Sequence, residues 1–327
     1  MGRLVLYAGR SNPALAQEIA SHLERPLSRA AIESFPDGET KIRLEESVRG
    51  SDVFIIQSTC PPVNENLMEL LLMIDAARRA SAQRLTAVIP YYGYARQDKK
   101  LTGREPISAK LVANLISTAG ADRVLTMDLH APTIEGFFDI PVDHLRSVPL
   151  MADCFRDLPP SDLVIVSPDV GGAKRANKLR HFLGTEASLA MVFKERLKGS
   201  GSPEILGIVG EVEGKTAVII DDIIATGETI LKTVDLLAEK GAKAIYACAI
   251  HPILAPGAIE RVDSSPVTKL VVTNTVPLPS DRQSDKIEVV SMAPLLATAI
   301  MYIHKGLSMT TLFKEVEEKR RVKSEPA

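Results

Sequence analysis

Two adjacent carboxylates, Asp221 and Asp222, stand where the apolar run Val218-Ile219-Ile220 stops, and a loop of small and hydroxyl-bearing residues, Ala225-Thr226-Gly227-Glu228-Thr229, follows. Helix spacing comes next: Ile230, Leu231, Val234, Leu237 and Ala238 recur at 3.6-residue intervals, and Gly241 ends the run. A helix start directs unpaired N–H groups at one spot, which suits a phosphate. Gly227 has no Cβ, so backbone there can approach an anion closely. Two acids beside such a cradle would repel the phosphate, so they serve another group: a sugar diol, or a metal next to it. The stretch points to a phosphorylated sugar at the C-terminal edge of a parallel sheet. The competing reading is a buried strand with an ordinary capped helix behind it.

Further chemistry-bearing groups are spread along the chain. Tyr91 to Lys100 follows an apolar run and, with Arg104, gathers the cations Arg96, Lys99, Lys100 and Arg104 beside Gln97. Guanidinium forks match phosphate geometry, although a basic solvated loop would have the same composition. Phe35-Pro36-Asp37-Gly38-Glu39 sets an aromatic beside two acids in a turn sequence. His130 and Asp169 each end a predicted strand, one in each half of the chain. A histidine and a carboxylate can share a divalent ion, and each alone also reads as a local hydrogen-bonding residue. Lys194 and Arg196 alternate on a predicted strand that enters the glycine-rich stretch Lys198–Gly214. That stretch reads either as a hairpin or surface loop, or as a flap that delivers two cations to a transferring phosphoryl group. Gly210 to Thr216 looks like a Walker A loop but is one residue short and leads into a strand instead of a helix, so it is set aside.

These groups need a scaffold, and the pattern supplies one. Strands are expected at Leu4–Ala8, Asp52–Gln57, Arg84–Ile89, Arg123–Met127, Leu163–Val166, Ser188–Phe193, Thr216–Ile220, Ala244–Ala249 and Leu270–Thr273. Helices are expected at Asn12–Leu23, Asn66–Ala80, Ala109–Ala119, Gly172–Leu183 and Thr229–Lys240. Unbroken apolar strands alternating with helices define an α/β protein with parallel sheets covered on both faces. The pattern runs twice, with a divide near Val148-Pro149, and 327 residues suit two domains. The expected division is 1–147, completed by 294–316, then 148–293, and a charged tail at 317–327. Chemistry in such folds sits beyond the carboxyl ends of the strands, which here are polar in both halves; a site shared between the domains is expected.

Composition excludes several classes. A net charge of -2 implies no general attraction to nucleic acid, and the absence of tryptophan argues against a base-stacking surface. Cys60, Cys154 and Cys248 lack metal-ligand spacing and read as small apolar residues in a cytoplasmic, reducing setting. No apolar run is long enough to span a bilayer, and Met1 to Tyr7 leads into a strand, not a signal peptide.

Six segments in family order resemble the ribose-phosphate pyrophosphokinases: Phe35–Glu39, Tyr94–Lys100, Met127–Ala131, Ser167–Ala176, the Lys194/Arg196 pair and Asp221–Thr229. The resemblance runs from about Leu4 to Phe313 and implies two similar type I phosphoribosyltransferase-like domains. It also implies transfer of the β,γ-diphosphoryl group of ATP to the 1-hydroxyl of ribose 5-phosphate, giving PRPP and AMP. By that resemblance, Asp221 and Asp222 bind the ribose hydroxyls, and Ala225, Thr226, Gly227, Glu228 and Thr229 bind the 5-phosphate. Phe35, Asp37 and Glu39 hold adenine from a neighbouring subunit of a dimer-based homohexamer. Arg96, Gln97 and His130 line the ATP site, His130 and Asp169 bind Mg²⁺, and Lys194 and Arg196 stabilise the transferring group. Ser47, Arg49, Asp143, Ser308 and Thr310 resemble parts of the family's regulatory site for phosphate and ADP; Ser51 stands where a cation is often found.

The chain departs from the family's common pattern at the sugar loop, where Ala225 replaces an aspartate and Glu228 a frequent glycine. An anion beside a phosphate costs energy unless it points away or finds a cation. Two rivals remain at this stage. One is a phosphoribosyltransferase that consumes PRPP, which needs no ATP motif. The other is a non-catalytic synthetase-associated subunit, which would be expected to have lost Lys194, Arg196, His130 or Asp169.

Overall fold

Strands that are apolar on both faces must be covered on both faces, and the fold meets that demand twice. The computed structural model describes residues 2–195, 204–278 and 284–321. Two compact units are present. The first comprises Met1–Arg146, Thr275–Pro277 and Ser291–Phe313; the second comprises Ser147–Asn274, Leu278–Val290 and Lys314–Ala327.

The first unit contains β1 (Leu4–Ala8), α1 (Pro13–His22), β2 (Ala30–Ser34), β3 (Thr40–Leu44), β4 (Asp52–Ile56) and α2 (Val63–Arg79). It continues with β5 (Arg84–Ile89), α3 (Ser108–Ala119), β6 (Arg123–Met127) and β7 (Val142–Leu145). Its five-stranded sheet has the order β1-β4-β5-β6-β7, with every pair parallel. Alternate residues Val5, Tyr7, Val53, Ile55, Ala87 and Ile89 share one buried cluster with Leu70, Met73 and Ile74 of α2 and Val112 and Ile116 of α3. That is the period-2 strand face meeting the 3.6-period helix face. β2 and β3 form a separate antiparallel hairpin around the Phe35–Glu39 turn.

The second unit contains α4 (Val148–Ala152), β8 (Leu163–Ser167), α5 (Ala173–Leu183), β9 (Ser188–Glu195), β10 (Glu204–Val209), β11 (Thr216–Ile224) and α6 (Glu228–Glu239). β12 (Ala244–Pro252), α7 (Ala258–Ser264), β13 (Lys269–Thr273) and β14 (Ile287–Val290) follow. Its sheet order is β10-β9-β8-β11-β12-β13-β14, parallel except for the β9–β10 hairpin. The chain builds outward from β8 to β9 and β10, then returns to β8's other side with β11. The strand order therefore reverses between β8 and β11, and that switch point is where open α/β sheets leave a crevice beyond the strand ends.

Two differences from the sequence reading matter. β11 does not stop at Ile220. It runs through both acids to Ile224, because β12 pairs with it as far as Ile224↔Pro252 while β8 pairs only to Val166↔Ile219. The glycine-rich stretch forms a hairpin arm, β10, with a bulge between Ile205 and Gly207. Residues 196–203, the start of that stretch, lie outside the described residues, as do the tail residues 322–327.

Two helices close the chain, α8 (Ala293–Lys305) and α9 (Met309–Arg321). α8 packs on α1 in the first unit, and one buried carboxylate fastens its end. Asp52 accepts from Arg84 Nε at 2.7 Å and Arg84 Nη2 at 2.5 Å, and meets His304 Nδ1 at 2.7 Å; Arg84 also donates to the Ile303 carbonyl at 2.9 Å. The Asp52 side chain is only 5% exposed, and removing it takes the acceptor from three nitrogens of the part-buried Arg84 and His304. Asp52→Ala is expected to cost about 3 kcal/mol, measured as a lower urea midpoint. An unchanged midpoint would show that this anchor contributes nothing.

Candidate active site

The acid pair sits on the overhang of β11 beyond β8. Successive strand residues ordinarily face opposite sides, yet one nitrogen of Arg175, Nη1, lies 3.3 Å from Oδ1 of Asp221 and 3.3 Å from Oδ1 of Asp222. The reason is local: the Asp221 carboxylate turns back to accept from the Asp222 N–H at 2.9 Å. Both acids are largely shielded from solvent, with side chains 13% and 7% exposed. Burial pushes the Asp221 carboxyl well above the usual carboxylate range, Asp222 beside it pushes the same way, and Arg175 pulls back only in part.

Arg175 stands in the first turn of α5, where the helix dipole disfavours a cation. Its side chain is 18% exposed, so the two acids are what offset its charge there. Asp169, just past β8, uses Oδ1 to accept from the Gly172 N–H at 2.8 Å at the start of the same helix. Lys194 on β9 reaches toward this group: Nζ donates to the Thr229 carbonyl at 3.3 Å. Burial lowers the affinity of Lys194 for its proton, while Asp169 and Asp221 raise it. Asp169, Lys194, Asp221, Asp222 and Arg175 thus form one electrostatic group inside the second unit. Arg196 lies outside the described residues.

The loop after β11 is held from below. Leu254 N–H donates to the Ile224 carbonyl at 3.1 Å and Ala255 N–H to the Ala225 carbonyl at 2.9 Å. Arg261 of α7 donates to the Thr226 carbonyl through Nε at 3.1 Å and Nη2 at 2.6 Å. Gly227 precedes α6 in the left-handed region, φ 80°, which explains glycine there. α6 buries Ile230, Leu231, Val234 and Leu237 against the sheet, each contributing about 1.5–3 kcal/mol, so the loop rests on a firm helix; Ala238 is exposed. Glu228 finds a cation, because Lys232 Nζ lies 2.8 Å from its Oε1. The acid that departs from the family's pattern is thereby neutralised along its own helix. Sequence reading did not single out Arg175, Arg261 or Lys232.

The remaining candidates lie in the first unit. Phe35 is 46% exposed at the β2–β3 turn, with Lys41 Nζ 5.8 Å from its ring centre. Asp37 and Glu39 are exposed beside it, and the Glu39 N–H donates to Asp37 Oδ1 at 3.2 Å. Arg96 is exposed, while Gln97 is tied to the start of α3: Ser108 Oγ donates to its side-chain oxygen and the Ala109 N–H to its carbonyl at 3.2 Å. Tyr91 and Tyr92 of the same loop are buried, and Tyr92's hydroxyl donates to the Ala109 carbonyl. His130 is exposed just past β6. Among the residues resembling a regulatory site, Arg49 and Thr310 are exposed. Ser47 accepts from Arg3 through its carbonyl at 2.9 Å, Asp143 pairs with Arg123 at 2.6 Å, and the Ser308 carbonyl accepts from Thr311. Among the described residues no group of three or more His, Cys, Asp or Glu side chains is arranged to hold a metal, and no helix is long and apolar enough to cross a membrane.

A largely parallel sheet with an acid pair and a glycine-started helix at its switch point defines a doubly wound α/β protein with its site beyond the strand ends. Residues 4–120 match the model of the N-terminal domain of ribose phosphate pyrophosphokinase, and residues 185–314 match that of the phosphoribosyl synthetase-associated domain. The chain is 51% identical over 310 residues to a ribose-phosphate pyrophosphokinase of Oceanobacillus iheyensis, covering 95% of this chain and 97% of the relative. It is 53% identical over 311 residues to the one from Bacillus caldolyticus, covering 95% and 98%. The crystal structure of phosphoribosylpyrophosphate synthetase from Mycobacterium smegmatis superposes with a TM-score of 0.87 at 44% identity, covering 93% of this chain and 99% of that one. The chain belongs to the ribose-phosphate pyrophosphokinase family.

The raised Asp221 pKa has a consequence for stability. Its native carboxyl holds a proton more tightly than the unfolded one, so stability attributable to it falls as pH rises from the ordinary carboxylate range through the raised native value. Asp221→Asn is therefore expected to melt at a higher temperature than the parent near neutral pH, with the difference closing below about pH 4. A lower melting temperature for the variant at neutral pH would contradict the assigned cause.

Proposed function

We propose that the protein makes PRPP and AMP from ATP and ribose 5-phosphate, with the second unit's acid pair as the sugar site. The observation that carries this reading is the convergence of Asp221, Asp222, Asp169 and Lys194 at the switch point of one sheet. A carboxylate offers about four lone-pair sites, and Asp221 and Asp222 stand together around Arg175 Nη1, which suits acceptance from neighbouring ribose hydroxyls. The Thr226–Thr229 backbone at the start of α6 receives the 5-phosphate, with the helix dipole favouring the anion.

In the reaction, the sugar's 1-hydroxyl oxygen forms a bond to the β-phosphorus of ATP. The bond between that phosphorus and the oxygen bridging to the α-phosphate breaks, AMP leaves, and the hydroxyl proton is lost. Lys194 and Arg196 meet the negative charge on the transferring group, and alignment of sugar oxygen and phosphorus supplies much of the rate. Phe35, Asp37 and Glu39 hold adenine in a neighbouring subunit of a homohexamer, and Arg96, Gln97 and His130 contact ATP. Magnesium suits Asp169, since this ion ordinarily takes one or two carboxylates together with phosphate oxygens and waters. His130 and Asp169 are the residues that would meet it, and when bound it neutralises phosphate charge.

Incubation with ATP, ribose 5-phosphate and Mg²⁺ is expected to yield AMP and PRPP in equal amounts. Lys194→Ala is expected to lower kcat by about 10²–10³-fold. Binding of both substrates without AMP formation would refute the catalytic reading and leave a regulatory subunit.

A further inference from the structure

The turn that presents His130 is held by a buried side chain outside the six family segments. β6 and β7 end together in their ladder: Thr126 is opposite His144, Met127 opposite Leu145, and the Asp128 N–H donates to the Leu145 carbonyl at 3.0 Å. At Asp128 the backbone then turns with φ 35°, a region a non-glycine residue holds only when its surroundings enforce it. The enforcing contact follows directly. The N–H of Leu129, the residue between Asp128 and His130, donates to His144 Nε2 at 2.8 Å.

The imidazole is itself fixed on both edges. Arg146 Nη1 approaches the same Nε2 at 2.7 Å, so two donors converge on that nitrogen and its lone pair must face them. The ring proton therefore sits on Nδ1, which donates to Glu135 Oε1. Glu135 comes from the 3₁₀ turn Pro132–Phe137 that follows His130, and its Oε1 also accepts from Arg146 Nη2 at 3.1 Å. The His144 side chain is 2% exposed, whereas those of Glu135 and Arg146 are 40% and 33% exposed. A neutral, single-tautomer imidazole is thus built into the sheet edge with its acceptor shared by the Leu129 N–H and Arg146.

We infer that His144 is a positioning residue: by clamping the Leu129 N–H, with Glu135 and Arg146 fixing its tautomer, it sets the Asp128–His130 turn and hence the presentation of His130 to the nucleotide. The inference rests on the proposed role of His130 in ATP binding. Outer groups that orient a functional histidine commonly change activity by an order of magnitude or more when removed.

The test is a double-mutant cycle on the full chain, with kcat and KM for ATP and for ribose 5-phosphate measured in the presence of Mg²⁺. His144→Phe keeps the ring's bulk and removes the acceptor. It is expected to lower kcat/KM for ATP by about tenfold, while KM for ribose 5-phosphate changes by less than about twofold, and to lower it by less than about twofold in the His130→Ala background, because coupled residues are not additive. Should His144→Phe not fold, Glu135→Ala, at a half-exposed position, replaces it in the same cycle, with about a threefold loss expected that disappears in the His130→Ala background. Equal losses in both backgrounds, or a parallel rise in KM for ribose 5-phosphate, would overturn the positioning role. His130→Ala with unchanged ATP parameters would instead overturn the reading of His130 itself, and the clamp would then have no site to serve.

Discussion

Two carboxylates held side by side in a poorly hydrated place are the constraint on which the second unit's site depends. The sheet imposes it. β12 carries β11 five residues beyond the last residue paired with β8, from Ile219 to Ile224, and the acids ride on that overhang. Their mutual repulsion and lost hydration must be offset, and the surrounding groups are arranged for that purpose. Arg175 sits where its helix would not otherwise want a cation, Lys194 is drawn toward Asp169 and Asp221, and Asp169 is tied to the start of α5. Compensation stops short of complete, as the raised proton affinity of Asp221 records. A carboxylate whose burial is incompletely offset gains from the hydrogen-bond donors of a polyhydroxyl ligand.

The first unit uses the same kind of strand end differently. Beyond β1 and β4, buried Glu69 accepts from the Arg10 N–H at 2.6 Å, Arg10 Nε at 2.6 Å and Gln57 Nε2 at 2.9 Å. Gln57 in turn accepts from the Ser11 N–H and hydroxyl, and a Cβ on Gly9 would lie 2.3 Å from its oxygen. That edge is closed by its own polar groups and serves stability. The chemistry-bearing residues of this unit sit instead on turns supported by neighbouring elements, at the β2–β3 tip, after β5 and after β6.

Much of this was legible in the sequence because it depends on local periodicity. The nine predicted strands and the five predicted helices correspond to elements of the fold, since continuous apolar runs and 3.6-residue spacing are read without knowing what packs against them. The hairpin β2–β3 was visible only as a turn, because none of its strand residues is fully buried and they carry little apolar signal. The true end of β11 was hidden because pairing with β12, a long-range fact, decides it. Asp221 and Asp222 stood out by type, whereas Arg175, Arg261 and His144 act through partners 46, 35 and 15 residues away. Single-residue inspection cannot find such partners.

Recognition of the sugar's hydroxyls by the acid pair is the proposal on which the rest turns. The measurement that tests it most directly is calorimetric binding of ribose 5-phosphate and its 2-deoxy analogue to the parent and to Asp222→Asn. Charged hydrogen bonds to the hydroxyl predict that the parent prefers ribose 5-phosphate by about tenfold or more, and that the variant loses most of this preference while still binding both through the phosphate. Equal affinities for the two sugars in the parent, or an undiminished preference in the variant, would contradict it.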